Sequence, residues 1–132
     1  MECSVPRDML LMARSFIENS YSPYSKFRVV SVVRAGSGKL YPGVNVENSS
    51  YGLTICAERV AVFNAVLNGE RSILEVLVAS DKILPYPCGA CLQVVSEFGS
   101  DDTLFYIVAL ETGEYRCFRL KDLLPYRFKL YE

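Results

Sequence analysis

The chain has 132 residues, of which 51% are hydrophobic and 22% charged, with 14 basic against 15 acidic side chains. This composition is typical of a compact globular protein and excludes a disordered one. The length fits one core, so we expect residues 1–132 to form a single domain. The net charge of -1 gives no electrostatic reason to expect a nucleic acid partner, because such binding depends on Lys and Arg neutralising phosphates.

Targeting and membrane signals are not recognisable in the sequence. The N-terminal stretch MECSVPRD lacks the basic region and apolar run of a secretory signal. No uninterrupted apolar segment approaches the roughly 18 to 20 residues that would cross a bilayer. We therefore expect a cytoplasmic protein with no membrane partner.

The first part of the chain predicts a helix followed by a β-hairpin. Apolar residues recur at helical spacing over residues 6–19. The β-branched run 27–35 ends in a Gly-Ser-Gly stretch, which is typical of a tight turn. Residues 40–46 then form the partner strand of the hairpin.

Two further helices and three strands are predicted after a loop over residues 47–52. The segment 56–68 is rich in Ala, Val and Leu on nearly all sides and ends before Gly69, so it predicts a buried helix. The remaining elements are a buried strand at 73–80, a short helix at 88–98, a buried strand at 103–110 and a last strand at 115–120.

The order of these elements predicts a mixed sheet. The strand-helix-strand crossover between residues 73 and 110 implies parallel neighbours, whereas the first hairpin is antiparallel. We therefore expect an α/β fold in which helices cover a mixed sheet.

Three of the five cysteines stand at predicted helix starts: Cys56 begins one helix, and Cys88 and Cys91 begin another. Free amides and the helix dipole favour negative charge there, which lowers thiol pKa and suits thiolate ligands. An odd number of cysteines in a reducing compartment also favours metal binding over a disulfide framework. Three ligands leave the fourth tetrahedral position of a zinc ion open, which is typical of a catalytic site.

Glu58 and Arg59 complete this candidate centre. Glu58 follows Cys56 by two residues, and around the first turn of a helix both side chains can reach a centre beyond the helix end. A carboxylate beside a metal-activated water can carry protons. Three thiolates outweigh the charge of one Zn²⁺, and we predict that Arg59 offsets the excess by hydrogen-bonding a thiolate.

Other interpretations of the cysteines stay open at this point. A cysteine in an apolar helix is usually a small core residue, and Cys88 and Cys91 alone could be a thioredoxin-like redox pair. A structural four-cysteine site would need Cys3, in a loose N-terminal end, or Cys117, in a strand. Taken together, Cys-x-Glu and Pro-Cys-x-x-Cys at two helix starts match the zinc-deaminase signature with Cys in place of the first His.

Four blocks of the sequence resemble one family. They are YSPYSKF at residues 21–27, GVNVENSSYGLTICAER at 43–59, PCGAC at 87–91 and LLPYRF at 123–128. In these blocks the chain is similar to the cytidine deaminases, specifically to their small homotetrameric form with three zinc-binding cysteines. The resemblance extends over almost the whole chain and implies a three-layer α/β/α fold with a mixed five-stranded sheet.

The resemblance implies hydrolytic deamination of cytidine and 2′-deoxycytidine. Water activated on one Zn²⁺ per chain would attack C4 of cytosine, and ammonia would leave. Cys56, Cys88 and Cys91 would be the zinc ligands. Glu58 would take the proton from water and deliver protons to N3 and to the departing amine.

The same resemblance implies the contacts to the substrate. Asn45 and Glu47 would hold the ribose hydroxyls, since a carboxylate accepts hydrogen bonds and an amide both donates and accepts them. Phe27 would stack on the pyrimidine. Tyr51 and Phe128 match aromatic positions that complete a neighbouring subunit's pocket in the tetramer.

Three positions depart from the residues usual in the family. Val30 stands where glycine is common, Tyr86 where serine is frequent and Leu92 where arginine is frequent. We expect the valine to alter the packing beside Phe27. Gln93, by contrast, matches a family position near the network around the zinc ligands.

Rival functions also fit parts of the sequence. A deaminase for a cytosine-containing antibiotic of the blasticidin type shares the chemistry, but Glu47 and the loop 45–52 favour a plain nucleoside. A deaminase acting on RNA or DNA needs a strand-binding surface, which the short, nearly neutral chain does not indicate. From another class, the chain could be a non-catalytic zinc module or a redox protein that depends on Cys88 and Cys91.

Overall fold

The computed structural model describes residues 3–130 of the chain. Its helices are α1 (Arg7–Phe16), α2 (Ala57–Leu67), α3 (Gly89–Phe98) and α4 (Leu120–Leu123), and its strands are β1 (Val29–Ala35), β2 (Leu40–Val44), β3 (Ile73–Ser80), β4 (Leu104–Ala109) and β5 (Tyr115–Arg119). Every predicted helix and strand is present, although most are shorter than predicted, and α4 was not predicted. Within the described residues, no helix has both the length and the apolar character needed to cross a membrane.

The strands of this part of the chain form one five-stranded sheet in the order β2-β1-β3-β4-β5. β3 and β4 run parallel and are joined through α3, whereas the β1–β2, β1–β3 and β4–β5 pairs are antiparallel. The mixed sheet and its parallel crossover are therefore confirmed. α2 precedes β3 in the chain and α3 follows it. The N-termini of both helices therefore lie near the C-terminal end of β3.

Helices cover both faces of the sheet, which confirms the three-layer α/β/α architecture. Alternation along β1 separates the two faces, because neighbouring side chains in a strand point to opposite sides. Val30 and Val32 pack with Met9 and Ala13 of α1. On the other face, side chains of the sheet pack with α2 and α3; these include Val33, Val76, Phe105, Ala61, Val62 and Val95.

Val30, at the position where the family resemblance implies glycine, is fully buried on the α1 side of the sheet. Ala13 belongs to the same cluster, and Ala79 is the partner of Val30 in β3. Because the side chain points away from the face that carries Phe27, it fills space in the opposite layer. The expected change in packing beside Phe27 therefore does not follow from Val30.

The outer side of α2 is apolar and exposed. Ala61 and Ala65 are fully buried against the sheet, but Phe63 and Leu67 are largely open to solvent. The prediction of a buried helix therefore holds only for the side of α2 that faces the sheet. Apolar residues all around a helix indicate that every side is normally covered. Within residues 3–130, nothing covers the side of α2 that carries Phe63 and Leu67.

Cys3 and Cys117 form a disulfide bridge between the segment before α1 and strand β5. Their Cα atoms lie 6.6 Å apart, within the usual range for a bridge. The hydroxyl of Tyr115 also donates a hydrogen bond to the carbonyl oxygen of Cys3, at 3.1 Å. The expectation of a loose N-terminal end at Cys3 is therefore wrong, and neither cysteine serves a four-cysteine metal site.

Candidate active site

Two helix starts meet at one point of the structure. Cys56 is the N-cap residue of α2 and Cys88 is the N-cap residue of α3, both with extended backbone angles. Cys91 lies in the first turn of α3 and is buried. The placement of all three thiols at helix N-termini is confirmed, and it puts them where free backbone amides favour negative charge.

The three sulfur atoms lie within 4.8 Å of one another, with 3.6 Å between those of Cys88 and Cys91. Two sulfurs bound to a tetrahedral zinc ion at about 2.3 Å each would stand about 3.8 Å apart. The geometry and the soft thiolate donors therefore fit Zn²⁺, with Cys56, Cys88 and Cys91 as the residues that would hold it. Three protein donors are the number typical of a catalytic zinc site.

The acidity of the thiols is uneven. A hydrogen bond from Cys91 lowers the pKa of Cys56 to about 5, and Arg59, whose Nη2 donates to the Cys56 sulfur at 3.5 Å, adds to this effect. The same contact with Cys56 raises the pKa of Cys91, and burial raises it further. Cys56 therefore loses its proton more readily than Cys91, and the predicted contact of Arg59 with a cysteine sulfur is present.

Glu58 is buried beside the three sulfurs, with 4% of its surface exposed. Burial raises the pKa of its carboxyl group to about 7, and the charge of Cys56 adds to the rise. A carboxyl group with this pKa can hold and release a proton near neutral pH. Glu58 and the Cys56 side chain line the same hollow, as their spacing in the first turn of a helix predicted.

A hollow of about 190 Å³ opens over the sulfurs. Its floor contains Cys56, Cys88 and Glu58, and Phe27 forms part of its wall. Its other lining residues are mostly apolar; they are Val29, Asn45, Thr54, Ile55, Ala57, Val78, Pro85 and Tyr86. The hollow can therefore accept a flat, largely apolar ring next to the candidate metal centre.

Asn45 organises the entrance to this hollow. Its Oδ1 accepts hydrogen bonds from the amide of Val29, at 3.0 Å, and from the hydroxyl of Ser20, while its Nδ2 donates to the carbonyl oxygen of Phe27 at 2.9 Å. These bonds hold the chain on both sides of Arg28 and so fix the backbone of Phe27. One Nδ2 hydrogen is left for a ligand.

Glu47 lies in a second hollow of about 220 Å³, which shares Thr54 with the first. Its carboxylate accepts hydrogen bonds from the amides of Tyr24 and Ser25, at 3.0 and 3.1 Å, and from the Ser25 hydroxyl. The Ser25 hydroxyl in particular lowers the pKa of Glu47, so the carboxylate is charged at neutral pH. The two hollows adjoin at Thr54 and together are called the cleft; the first holds Cys56, Cys88 and Glu58, and the second holds the carboxylate of Glu47.

The aromatic residues expected from a neighbouring subunit lie at the surface of this chain. Tyr51 is 77% exposed and lines the second hollow, with its ring edge toward Tyr24 at a centroid distance of 6.4 Å. Phe128 is 67% exposed and lies outside both hollows. Within residues 3–130, Gln93 donates a hydrogen bond to the carbonyl oxygen of Phe128 at 3.3 Å and makes no hydrogen bond to Cys56, Cys88 or Cys91.

Thr54 and Ser25 are parts of the cleft that sequence reasoning missed. Thr54 lines both hollows, and its Oγ1 accepts a hydrogen bond from the amide of Asn48 at 3.1 Å. Ser25 fixes the carboxylate of Glu47. Both lie inside the sequence blocks that carry the family resemblance. Their place in those blocks was the sequence signal that could have identified them as site residues.

The fold and the site together define a zinc-dependent hydrolase of the α/β/α class. Residues 4–107 match the family model described as the cytidine and deoxycytidylate deaminase zinc-binding region. The cytidine deaminase of Halalkalibacterium halodurans is 41% identical over 112 residues, which are 84% of each chain. That of Mycoplasma pneumoniae is 36% identical over 119 residues, 88% of each chain.

Solved structures agree with this assignment. The cytidine deaminase of Burkholderia pseudomallei superposes with a TM-score of 0.87 at 35% identity, covering 95% of this chain and all 100% of that one. The enzyme of Mycobacterium tuberculosis gives a TM-score of 0.79 at 32% identity, over 96% of this chain and 100% of that one. The chain belongs to the cytidine deaminase family.

Proposed function

We propose that this protein hydrolyses cytidine and 2′-deoxycytidine to uridine and 2′-deoxyuridine with release of ammonia. The observation that carries the proposal is the buried carboxyl group of Glu58 beside three clustered cysteine sulfurs, in one hollow with Phe27. When bound by Cys56, Cys88 and Cys91, zinc supplies a Lewis acid that lowers the pKa of water.

Glu58 carries the protons of the reaction. As a carboxylate it takes a proton from the attacking water and, as an acid, passes that proton to N3 of the base. It then takes the proton of the hydroxyl group newly attached to C4 and passes it to the leaving amine, which departs as ammonia. Glu58 must therefore be charged and neutral in turn within one turnover. With a pKa of about 7, its carboxyl group adopts both forms near neutral pH. Arg59 offsets part of the negative charge of the thiolates through its contact with Cys56.

The two halves of the cleft suit the two halves of a nucleoside. Phe27 packs on the pyrimidine in the apolar hollow. Asn45 donates its remaining amide hydrogen to the ribose, and Glu47, held charged and fixed by Ser25, accepts a hydrogen bond from a ribose hydroxyl. The fixed, charged carboxylate of Glu47 favours a plain nucleoside over a blasticidin-type antibiotic.

The protein acts as a homotetramer in which Tyr51 and Phe128 complete the pocket of a neighbour. Their exposure, together with that of Phe63 and Leu67 on α2, leaves large apolar surfaces that a monomer would show to water. Light scattering at micromolar concentration tests this assembly, and a monomer that is fully active would remove Tyr51 and Phe128 from the site.

The whole chain, residues 1–132, forms one catalytic domain with one Zn²⁺. We place it in the cytoplasm, in pyrimidine salvage, without nucleic acid or membrane partners. In that compartment, cellular thiols act to reduce the Cys3–Cys117 bridge.

The test is ammonia release from cytidine by zinc-loaded protein, run beside Glu58→Ala at matched zinc content. Glu111→Ala, which removes an exposed carboxylate in the turn before β5, is the control. We expect turnover by the parent and the control and a loss of about 10²–10⁴-fold in Glu58→Ala. Parallel assays with 2′-deoxycytidine, blasticidin S and a cytosine-bearing oligonucleotide identify the substrate class. Zinc-loaded parent protein that releases no ammonia from either nucleoside would overturn the proposal.

A further inference from the structure

Two polar contacts, one at Arg127 and one at Phe128, attach the segment after α4 (residues 124–130) to the rest of the chain. These two contacts are called the anchors of the segment. The side chain of Arg127 turns inward: it is 12% exposed, and its Nη2 lies 3.6 Å from Oδ1 of Asp101. One residue later, the carbonyl oxygen of Phe128 accepts the hydrogen bond from Nε2 of Gln93 at 3.3 Å. Phe128 itself remains 67% exposed.

A cleft of about 610 Å³ lies between α3 and this segment. It is lined by Gln93, Ser96 and Glu97 of α3, by Gly99 and by residues 127–130 of the segment. Leu124 packs against the core at the start of the segment, but residues 127–130 border the open cleft and Leu130 is exposed. We infer that the path of residues 127–130 depends mainly on the two polar anchors.

The Arg127 anchor contributes little to stability. Asp101 is mostly exposed, and exposed ion pairs contribute only about 0–1 kcal/mol. In addition, Nη1 of Arg127 is buried without a hydrogen-bond partner among residues 3–130, which costs free energy. What the arrangement does achieve is geometric, because it fixes the direction in which the chain leaves Arg127.

Gln93 connects this segment to the metal centre. It lies two residues after Cys91 on α3, the helix whose start also carries Cys88. Its hydrogen bond to the Phe128 carbonyl oxygen therefore fixes the segment relative to the helix that presents two of the three sulfurs.

We propose that Arg127 and Gln93 are positioning residues that hold Phe128 in the direction needed to enter a neighbouring subunit's pocket. This inference rests on the role of Phe128 in the proposed function. A ring already fixed before the nucleoside arrives loses less conformational freedom on binding. Loss of the anchor therefore weakens substrate binding and leaves the proton transfers by Glu58 unchanged.

The experiment is a double-mutant cycle in the zinc-loaded protein. Arg127→Ala and Phe128→Ala are made singly and together, and KM and kcat for cytidine are measured. Arg119→Ala is a matched control, because Arg119 forms the same kind of pair with Asp102, also at 3.6 Å, outside the segment. We expect Arg127→Ala to raise KM about two- to tenfold with unchanged kcat, and to have no effect once Phe128 is alanine.

Other results separate the two ideas. A raised KM in Phe128→Ala with a parental KM in Arg127→Ala would overturn the positioning role and leave the role of Phe128 intact. A parental KM in Phe128→Ala would overturn both, and an equal rise caused by Arg127→Ala in both backgrounds would show that Arg127 acts by another route.

If Arg127→Ala does not fold, Asp101→Asn and Gln93→Ala remove the partner of each anchor instead. Chymotrypsin cleavage after Phe128, followed by mass spectrometry, gives a readout independent of activity. We expect faster cleavage in each anchor variant and the parental rate in Arg119→Ala. Parental cleavage rates in all anchor variants would contradict the proposal.

Discussion

Gly43 of β2 and Ala61 of α2 are in backbone contact: a Cβ atom placed on Gly43 would lie 2.8 Å from the Cα atom of Ala61. The carbonyl oxygen of Ala57 would be equally close. Real Cβ atoms do not approach backbone this way, so only glycine lets α2 lie so near the sheet. Since α2 carries Glu58 and begins at Cys56, this contact sets the depth of both in the site.

We predict that Gly43→Ala displaces α2 and damages the site. Overpacking against backbone, which cannot rotate away, should cost about 1–3 kcal/mol of unfolding free energy. The zinc content of the purified protein should fall with it. Thermal unfolding and metal analysis measure the two effects. Gly52→Ala is the control, because no described atom lies within 4 Å of a Cβ at that position, and equal behaviour of the two variants would contradict the prediction.

The contact of Arg59 with Cys56 predicts a role in zinc affinity. Arg59→Ala removes the guanidinium that helps to lower the pKa of Cys56, so protons compete better with the metal. We expect zinc affinity at pH 7 to fall about tenfold, as measured by chelator competition. Arg71→Ala, which removes an exposed guanidinium bonded only to carbonyl oxygens, should leave affinity unchanged. Full zinc affinity and turnover in Arg59→Ala would show that the thiolates need no such compensation.

Asp8 predicts a loss of stability in acid. Hydrogen bonds from Nη2 of Arg34 to both carboxylate oxygens, at 2.9 and 3.0 Å, lower the pKa of Asp8. The folded pKa is then below the unfolded one, so the stabilisation is present above the unfolded pKa and is lost as pH falls through the folded pKa. Because the side chain is largely exposed, we expect less than about 1 kcal/mol.

Urea unfolding of the parent and of Asp8→Asn tests this sign. The parent should be the more stable protein at pH 7, and the difference should shrink between pH 4 and the more acid range. The contacts of Arg34 with Glu75, at 2.5 Å from its Nε, and with the carbonyl oxygen of Gly38 are retained in both proteins. A difference that stays constant with pH would show that the carboxylate charge of Asp8 is not involved.

The bridge between Cys3 and Cys117 predicts stability without an effect on chemistry. Loops of this size lose much entropy on closure, and removal of a native bridge costs about 2–5 kcal/mol. Cys117 packs on the α1 side of the sheet, opposite the pocket, so kcat should not change. Cys3→Ser and Cys117→Ser should have equally lowered unfolding temperatures, with no further effect of a reducing agent.

Thiol titration of the denatured parent provides the control. Without a reducing agent it should give the three free cysteines, Cys56, Cys88 and Cys91, and five after reduction. Five reactive thiols before reduction would contradict the bridge.

The positions of Cys56 and Cys88 could be predicted because a helix start is a local property. Turn residues before them and apolar periodicity after them are visible in the sequence, and the structure has both as N-cap residues. The start of α4 could not be predicted in the same way. It is fixed by contacts across the fold, including the hydrogen bond from the amide of Leu120 to the carbonyl oxygen of Thr103.

Contacts between residues far apart in the chain could not be predicted from the sequence. The sequence predicted that Glu47 binds the ligand. It did not reveal that Tyr24 and Ser25 hold the carboxylate of Glu47 in place. The pairing of Cys3 with Cys117 spans 114 residues, and no periodicity records it. Gly43 was visible as a glycine inside a strand, which signals close backbone approach, but the approaching element could not be read from the pattern.

Neither α2 nor α3 has a side-chain cap on its first amides within the described residues, although each begins with a cysteine at its N-cap position. Most helices satisfy those amides with Ser, Thr, Asp or Asn. Thiolates at these two N-cap positions would place negative charge at both helix starts, where the helix dipole favours it, so we expect metal loading to stabilise the first turns of both helices. Removal of zinc should therefore loosen the first turns of two helices at once, and the enzyme's metal content and its helix content should rise and fall together.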